Sequence, residues 1–234
     1  MARRTGVCSV VFGLVLVSAG GTARGGEFYY VMIFGSESSP KLLRYTHTWA
    51  TFVRAVGEGP DPRNYAIQVH TISWLPRSLE VHVWRPWPEP GVNLDLYQTL
   101  DVVRSNRESV TMWGPFLTEK KIYDRSLWVL QMIASGAPRY RAIDTAQDLL
   151  ISDCIHAVAA VDPDFGRGHY PLIRIGKPAS RFLARQVMLR SPFDQKAYDN
   201  SWLIPRLAVD RYPIEVVPPQ WIPRRNCLLC RCPE

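Results

Sequence analysis

The order of hydrophobic patterns along the chain predicts an α+β protein, in which a small antiparallel sheet packs on helices. Strand-like segments come first, within residues 27–84, and helical periodicity begins only near residue 93. A short helix that starts at a cysteine follows near residue 154. Strands followed by helices, rather than strands alternating with helices, are typical of α+β folds.

Four strands are predicted in the first part of the chain. Residues 27–35 are aromatic and β-branched, which suits a buried strand. Residues 44–56 and 65–75 alternate between the two faces of a strand, and residues 79–84 do so over a shorter run. Turns rich in glycine and proline separate these segments, so we expect an antiparallel meander.

The clearest helix is predicted over residues 119–135, where apolar side chains recur at helical spacing before Gly136 ends it. An earlier helix opens at Asn93 or Asp95, either of which is a suitable N-cap. The other elements are predicted as strands over residues 109–113, 169–175 and 213–217, a short strand or extended arm over residues 140–143, and a helix over residues 179–188. A break is expected at residues 114–115, where glycine precedes proline.

The N-terminus has the pattern of a secretory signal peptide. Arg3 and Arg4 precede an apolar run over residues 7–19, and the small residues 21–23 suit a cleavage site. The run is too short for a comfortable membrane span, so no transmembrane segment is expected after cleavage. The prediction is a secreted, periplasmic or cell-envelope protein, with an uncleaved signal anchor as the alternative.

Three regions are predicted along the chain. They are a signal peptide over residues 1–23, a folded α+β domain over residues 27–190, and a proline-rich, mostly irregular extension over residues 191–234 that ends in a cysteine-rich tail. A chain of 234 residues is long enough to bury a full core, so one domain is expected.

The charge of the chain argues against a nucleic-acid partner. The formal net charge is +7, and it falls to +5 when Arg3 and Arg4 are removed with the signal peptide. No dense run of Lys and Arg is interleaved with aromatic residues, which is the pattern typical of nucleic-acid binding. We expect no more than a loose affinity for anionic envelope surfaces.

Export removes Cys8 and leaves four cysteines, of which three form a C-terminal cluster. Cys227, Cys230 and Cys232 are expected to form a disulfide within the tail or to another chain. A zinc site is the alternative, although three thiolates without a neighbouring histidine fall short of the usual four ligands. No metal or cofactor is therefore predicted. Cys154 stands alone in the body of the chain, as a nucleophile or a plain buried cysteine would.

Cys154 comes at the start of a short apolar helix, directly after Ser152 and Asp153. If either of these residues caps the helix, Cys154 lies in the first turn, where unpaired N–H groups and the helix dipole favour an anion. The thiolate is the nucleophilic form of cysteine, so this position favours a reactive thiol. The carboxylate of Asp153 acts the other way, because a neighbouring negative charge raises the pKa of a thiol.

A cysteine hydrolase also needs an imidazole to accept the thiol proton and a polar group to orient the imidazole. His47 and His70 lie in predicted strands, and His82 and His169 are further candidates for the base. His156 follows the cysteine by two residues on the helix, so it is expected to point away from the thiol and to make a structural hydrogen bond. For the candidate bases, the alternative role is also structural.

These residues together resemble the circularly permuted papain-like proteins, which include the lecithin:retinol acyltransferase and NlpC/P60-related families. Those families place a histidine strand first and later carry Asn-Cys-Glu-His-Phe before a helix, where this chain has Asp153-Cys154-Ile155-His156-Ala157. Their base lies in a strand that begins with histidine, which residues 47–52 match loosely. The resemblance covers about residues 28–190, and it departs from the family pattern at Ile155, which replaces an acidic residue.

The resemblance implies a permuted papain-like fold with three catalytic residues. Cys154 is the implied nucleophile, His47 the general base, and His70 the group on a second strand that orients the base. The implied function is an exported thiol hydrolase or acyl-transfer enzyme that acts on amide or ester bonds, with peptides, peptidoglycan or lipids as candidate substrates. The alternative is a non-catalytic exported protein that uses the same scaffold for binding or envelope assembly.

Overall fold

The fold is given by a computed structural model that describes residues 25–142, 151–162 and 175–223. The strands are β1 (Gly26–Glu37), β2 (Thr46–Gly57), β3 (Ala66–Ile72), β4 (Trp74–Pro76), β5 (Gly91–Asn93), β6 (Ser109–Thr118) and β7 (Ile214–Val217). The helices are α1 (Leu96–Ser105), α2 (Lys120–Ala134), α3 (Cys154–Ala159), α4 (Lys177–Arg190) and α5 (Leu203–Arg206).

The centre of the molecule is a five-stranded sheet with the strand order β3-β2-β1-β6-β7. Neighbouring strands are antiparallel except β6 and β7, which run parallel. β4 and β5 form a separate antiparallel pair. The protein is therefore a mixed α+β fold, as the order of its sequence patterns predicts.

Helices cover both faces of the sheet, and β1 at its centre is buried along most of its length. α2, α3 and α4 pack on one face, where Val31, Ile33 and Phe52 contribute to the core. α1 and α5 pack on the other face, where Phe34 and Trp49 stack with their ring centroids 5.2 Å apart. Burial on both faces explains why residues 27–35 form a continuous apolar run rather than an alternating one.

β2 extends beyond the end of β3, and this overhang positions the candidate site. The pairing of β2 with β3 reaches only to Ala50 opposite Ile72, which leaves residues 46–49 of β2 without a partner in β3. α3 packs against β2, and the Ser180 hydroxyl of α4 bonds the Thr48 hydroxyl of β2 at 2.9 Å. The start of β2 is therefore held between two helices.

The predicted strand over residues 79–84 is wrong. The chain turns after Pro76, where Leu79 has a left-handed φ of 59°, and within the described chain the following residues pair with no strand. The alternation of apolar and polar residues here reflects an irregular loop, in which Val81 packs against the core while Trp84 is exposed. The additional pairing joins β4 to β5 instead.

The predicted break at Gly114 and Pro115 is also wrong, because β6 continues through both residues to Thr118. Gly114 and Pro115 instead disturb the pairing of β6 with β1, whose register shifts between Val31 and Ile33. Gly114 has a φ of 107°, a conformation that glycine adopts without the steric penalty of a side chain.

The described part of the C-terminal extension packs into the same core as the preceding residues. Leu203 and Leu207 are buried on the α1 face of the sheet, and β7 pairs with β6 at its edge. The predicted boundary at residue 190 therefore does not separate two packing units in this part of the chain. The predicted edge strand over residues 213–217 is present as β7.

Three sequence predictions lie wholly or mainly outside the described residues. They concern the signal peptide, the strand over residues 169–175 and the cysteine tail. Within the described ranges, no helix has both the length and the apolar character needed to cross a bilayer.

Candidate active site

Asp153 organises the start of α3, as its polar side chain before an apolar helix predicts. Its Oδ1 accepts hydrogen bonds from the backbone N–H groups of Ile155 at 2.8 Å and His156 at 2.9 Å. Its Oδ2 lies 3.0 Å from Nδ1 of His156, which is also 2.9 Å from the Ser152 hydroxyl. His156 is thus tied to the helix cap, which agrees with the structural role expected for it.

Cys154 is the first residue of α3, and its thiol is buried and free. Burial raises the pKa of the Cys154 thiol, and the charge of Asp153 raises it further. Hydrogen bonds from backbone N–H groups, including that of Thr48 in β2, lower this pKa, but by less than burial and Asp153 raise it. The thiol is therefore protonated at neutral pH in this conformation, and it lies against the overhang of β2.

His47 lies in that overhang, next to Thr48, and it is buried. Its ring stacks on Trp49 with the ring centroids 5.3 Å apart, and its Nε2 is 2.9 Å from the hydroxyl oxygen of Ser73. Burial lowers the pKa of His47 to about 3, so the imidazole is neutral at neutral pH. Which of its nitrogens carries the proton then decides what the ring can do.

The neighbouring hydroxyl groups determine the tautomer of His47. The Ser73 and Thr99 hydroxyl oxygens are 2.8 Å apart, and the Thr99 hydroxyl donates to the carbonyl oxygen of Asp95 at 2.6 Å. Thr99 has one hydroxyl proton, which can go to either oxygen; when it is assigned to the Asp95 carbonyl, the shorter contact and an acceptor only, Ser73 donates to Thr99. The Ser73 oxygen then accepts the Nε2–H of His47, which leaves Nδ1 as the unprotonated nitrogen.

Nδ1 of His47 is buried and has no hydrogen-bond partner among the described residues. A buried acceptor without a partner costs about 1–3 kcal/mol, so a group of this kind calls for an explanation, such as a bound water or a catalytic role. An unprotonated imidazole nitrogen is the group that a general base requires. The geometry therefore gives His47 a free lone pair next to the residue that contacts the Cys154 thiol.

Within the described structure, no hydrogen bond joins Cys154 to His47. The described contacts of the His47 ring lie on the α1 face of the sheet, whereas Cys154 packs in the core on the α2–α4 face. The thiol reaches β2 through the backbone N–H of Thr48, the residue after His47, and the side chains of these two strand residues point to opposite faces of the sheet.

His70 does not lie beside His47, so the orienting contact predicted for it is not formed. It pairs with Phe52, which is five residues from His47 along β2, a separation of about 16 Å. Its Nε2 is 2.7 Å from the hydroxyl of Ser126 in α2, and its ring stacks on Phe52 at 5.4 Å. Both contacts are structural, and burial lowers its pKa to about 4.

Ser73 contacts the His47 ring and Thr99 contacts Ser73, and neither residue is among those predicted from the sequence. Ser73 lies in the chain between β3 and β4, and Thr99 lies on the buried face of α1. In the sequence, a serine three residues after His70 is only a weak indication that it contacts another histidine. It becomes informative only when the β2–β3 register is known, because that register places Ser73 rather than His70 near the start of β2.

A separate apolar cleft of about 340 Å³ opens between α2, α3 and α4. Val158 and Val161 line it at the C-terminal end of α3, and the ion pair of Arg190 with Asp162 lies at its rim. Cys154 is at the opposite end of the helix, a distance of about 9 Å for six residues. The cleft is therefore distinct from the immediate surroundings of the thiol.

No metal site is present in the described ranges, which contain no group of three or more His, Cys, Asp or Glu side chains arranged to hold an ion. The cysteine tail, for which a zinc site is the alternative prediction, lies outside those ranges.

Replacing Asp153 by asparagine is expected to lower the pKa of the Cys154 thiol and to speed its alkylation. The amide oxygen of asparagine still accepts the backbone hydrogen bonds of the cap, whereas the negative charge is lost. The measurement is the rate of iodoacetamide labelling against pH, quantified on the tryptic peptide of residues 142–167, in which Cys154 is the single cysteine. Asp162→Asn, which removes a carboxylate beyond the opposite end of the same helix, is the matched control, and equal labelling of both variants would contradict the assignment.

No protein-family model matches the chain, and no curated protein or solved structure matches it either.

Proposed function

We propose that the protein is an exported thiol hydrolase or acyl-transfer enzyme, built on a permuted papain-like scaffold, that acts on amide or ester bonds through Cys154 and His47. The observation that carries this proposal is the unpartnered Nδ1 of His47, held as an acceptor by Ser73 next to the contact between Thr48 and the thiol. A purely structural histidine would be expected to have both nitrogens satisfied.

The neutral state of both groups determines how the proposed reaction proceeds. The raised pKa of Cys154 and the lowered pKa of His47 disfavour a resting thiolate–imidazolium pair. The reaction requires the thiol and His47 Nδ1 to meet across the start of β2; Nδ1 would then take the thiol proton as the sulfur attacks the carbonyl carbon, and would return it to the departing amine or alcohol. Water or a second acceptor would then cleave the thioester. Ser73 would orient the ring by accepting the Nε2–H throughout.

A second function is supported by the burial of Cys154. A thiol that is fully enclosed and has a raised pKa is also what an ordinary core cysteine shows. The alternative proposal is therefore a non-catalytic binding or envelope-assembly protein with the same scaffold.

Trapping of an acyl-enzyme distinguishes the two functions. The full chain is incubated with p-nitrophenyl acetate, quenched with acid and digested, and the peptide of residues 142–167 is examined by mass spectrometry. We expect an acetyl group on this peptide that hydroxylamine releases and that Cys154→Ala lacks. A wild-type peptide that stays unmodified while the protein is folded by circular dichroism would favour the binding protein.

A further inference from the structure

Two exposed tryptophans project from the loop between β4 and β5. Trp84 is 83% exposed and Trp87 66% exposed, whereas Trp49 and Trp74 are buried. With Leu42 and Leu43 from the loop between β1 and β2, the two tryptophans line one shallow groove. We refer to Leu42, Leu43, Trp84 and Trp87 as the tryptophan surface. Exposed tryptophans and leucines gathered at one place are unusual on a soluble protein and indicate an interaction site.

Basic residues border the tryptophan surface. Arg44 and Arg85 line the same groove, and within the described chain Arg44 has no acidic side chain within ion-pair distance. Arg85 is 3.1 Å from Glu89, and His82, which also lines the groove, is 3.7 Å from Glu80. The Arg44 guanidinium instead lies 4.8 Å from the centre of the Tyr45 ring. The groove thus combines apolar side chains with an arginine whose charge no described acidic side chain pairs.

This combination fits the interface of a lipid bilayer. Tryptophan is enriched at the level of the lipid headgroups, where its ring is partly apolar and its N–H can reach polar groups. Leucines add apolar area that an acyl-chain region would bury, and arginine attracts anionic headgroups. A glycan would use tryptophan rings for stacking, but it also needs several hydrogen-bonding groups, and most of the groove lining is apolar.

We infer that the tryptophan surface docks the protein on a bilayer that contains anionic phospholipid. This inference goes beyond the proposed function and does not depend on it. The loop that carries the tryptophans is anchored to the protein, because Val81 packs against the core and the Pro86 carbonyl accepts a hydrogen bond from Arg141 at 3.1 Å. The backbone N–H of Arg141 in turn donates to the carbonyl oxygen of Ser152, two residues before Cys154, at 2.7 Å. The docking surface is therefore connected to the start of α3.

Quenching of tryptophan fluorescence by brominated lipid tests the inference locally. The full chain is titrated with vesicles of phosphatidylcholine and phosphatidylglycerol in equal parts, with the acyl chains brominated. All 8 tryptophans lie after residue 48, so membrane insertion of the N-terminal apolar run would not itself report in this assay. We expect quenching in the wild-type protein and its loss in the double variant Trp84→Phe, Trp87→Phe. Trp221→Phe is the matched control, since Trp221 is 74% exposed and does not line the groove.

Affinity gives the second readout. Replacing both tryptophans by serine is expected to raise the lipid concentration needed for half-maximal flotation with vesicles by about tenfold or more. Arg44→Ala is expected to weaken binding to phosphatidylglycerol vesicles and not to pure phosphatidylcholine vesicles. The inference is overturned if the wild-type fluorescence is not quenched, if Trp221→Phe abolishes quenching, or if the protein sediments with insoluble glycan and does not contact vesicles.

Discussion

Replacing His47 by alanine is expected to slow acetylation of Cys154 by p-nitrophenyl acetate by about 10²- to 10⁴-fold, the range typical for loss of a general base. Replacing His70 by alanine is expected to leave the rate within about threefold of the wild type, because distant sites act independently. The difference follows from geometry. His47 precedes Thr48, the residue that contacts the thiol, whereas His70 contacts Ser126 and lies further along the sheet from His47.

Ser73 should behave as a positioning residue in the same assay. Ser73→Ala removes the acceptor for the Nε2–H of His47, and we expect a loss of about ten- to a hundredfold, as is usual for groups that orient a reacting side chain. Ser73→Thr keeps the hydroxyl and is expected to restore most of the rate. The measurement is the initial rate of p-nitrophenol release, with folding checked by the near-ultraviolet dichroism of each variant.

Two results would contradict this assignment. A His70→Ala variant as slow as His47→Ala would return the orienting role to His70, despite its distance from His47. A normal rate in His47→Ala, with acetyl still found on the peptide of residues 142–167, would show that Cys154 reacts without this base. In either case the unpartnered Nδ1 would need another explanation.

The free energy of unfolding is expected to fall steeply as the pH drops from about 6.5 toward 3, with His47 as a main contributor. Burial lowers the pKa of His47 to about 3 in the folded protein, while the unfolded chain keeps the ordinary value near 6.5. Between these values the unfolded chain takes up a proton that the folded protein does not. The stability is therefore complete above pH 6.5 and is lost as the pH falls.

The size of this effect is set by the shift in pKa. One pKa unit corresponds to 1.36 kcal/mol, so His47 alone accounts for on the order of 5 kcal/mol across the whole window. His70 adds to the slope in the same direction, since burial lowers its pKa to about 4. In the range between pH 4 and 6, His47 and His70 each contribute a slope of up to about 1.4 kcal/mol per pH unit.

Urea unfolding at several pH values from 7.5 to 4 measures this slope. His47→Gln removes the titrating group but keeps a side-chain N–H for Ser73, so its stability should depend less on pH even if it is lower overall. His82→Gln is the control, because the His82 side chain is 46% exposed. Since acidic groups titrate in all of these proteins, the histidine effect is the difference between variants. Equal slopes for the wild type and His47→Gln would disprove the buried neutral state of His47.

Local sequence patterns alone determined several parts of the structure. The cap of α3 at Asp153 was predictable because an N-cap depends on residues only two or three positions apart. α2 was predictable because its apolar spacing is regular over four turns, and α1 because a capping residue precedes it. The α+β class also followed from the order of these local patterns.

The arrangement of the site was decided by tertiary structure. Which residue orients His47 depends on the register between β2 and β3, and a shift in register changes every partner along the strand. The sequence shows His70 and Ser73 three residues apart, but only the pairing of Ala50 with Ile72 places Ser73 near the start of β2. The pKa values of His47 and Cys154 are likewise set by burial among residues distant in the chain. Local sequence patterns do not predict these contacts, because the contacts form only when helices pack on both faces of the sheet.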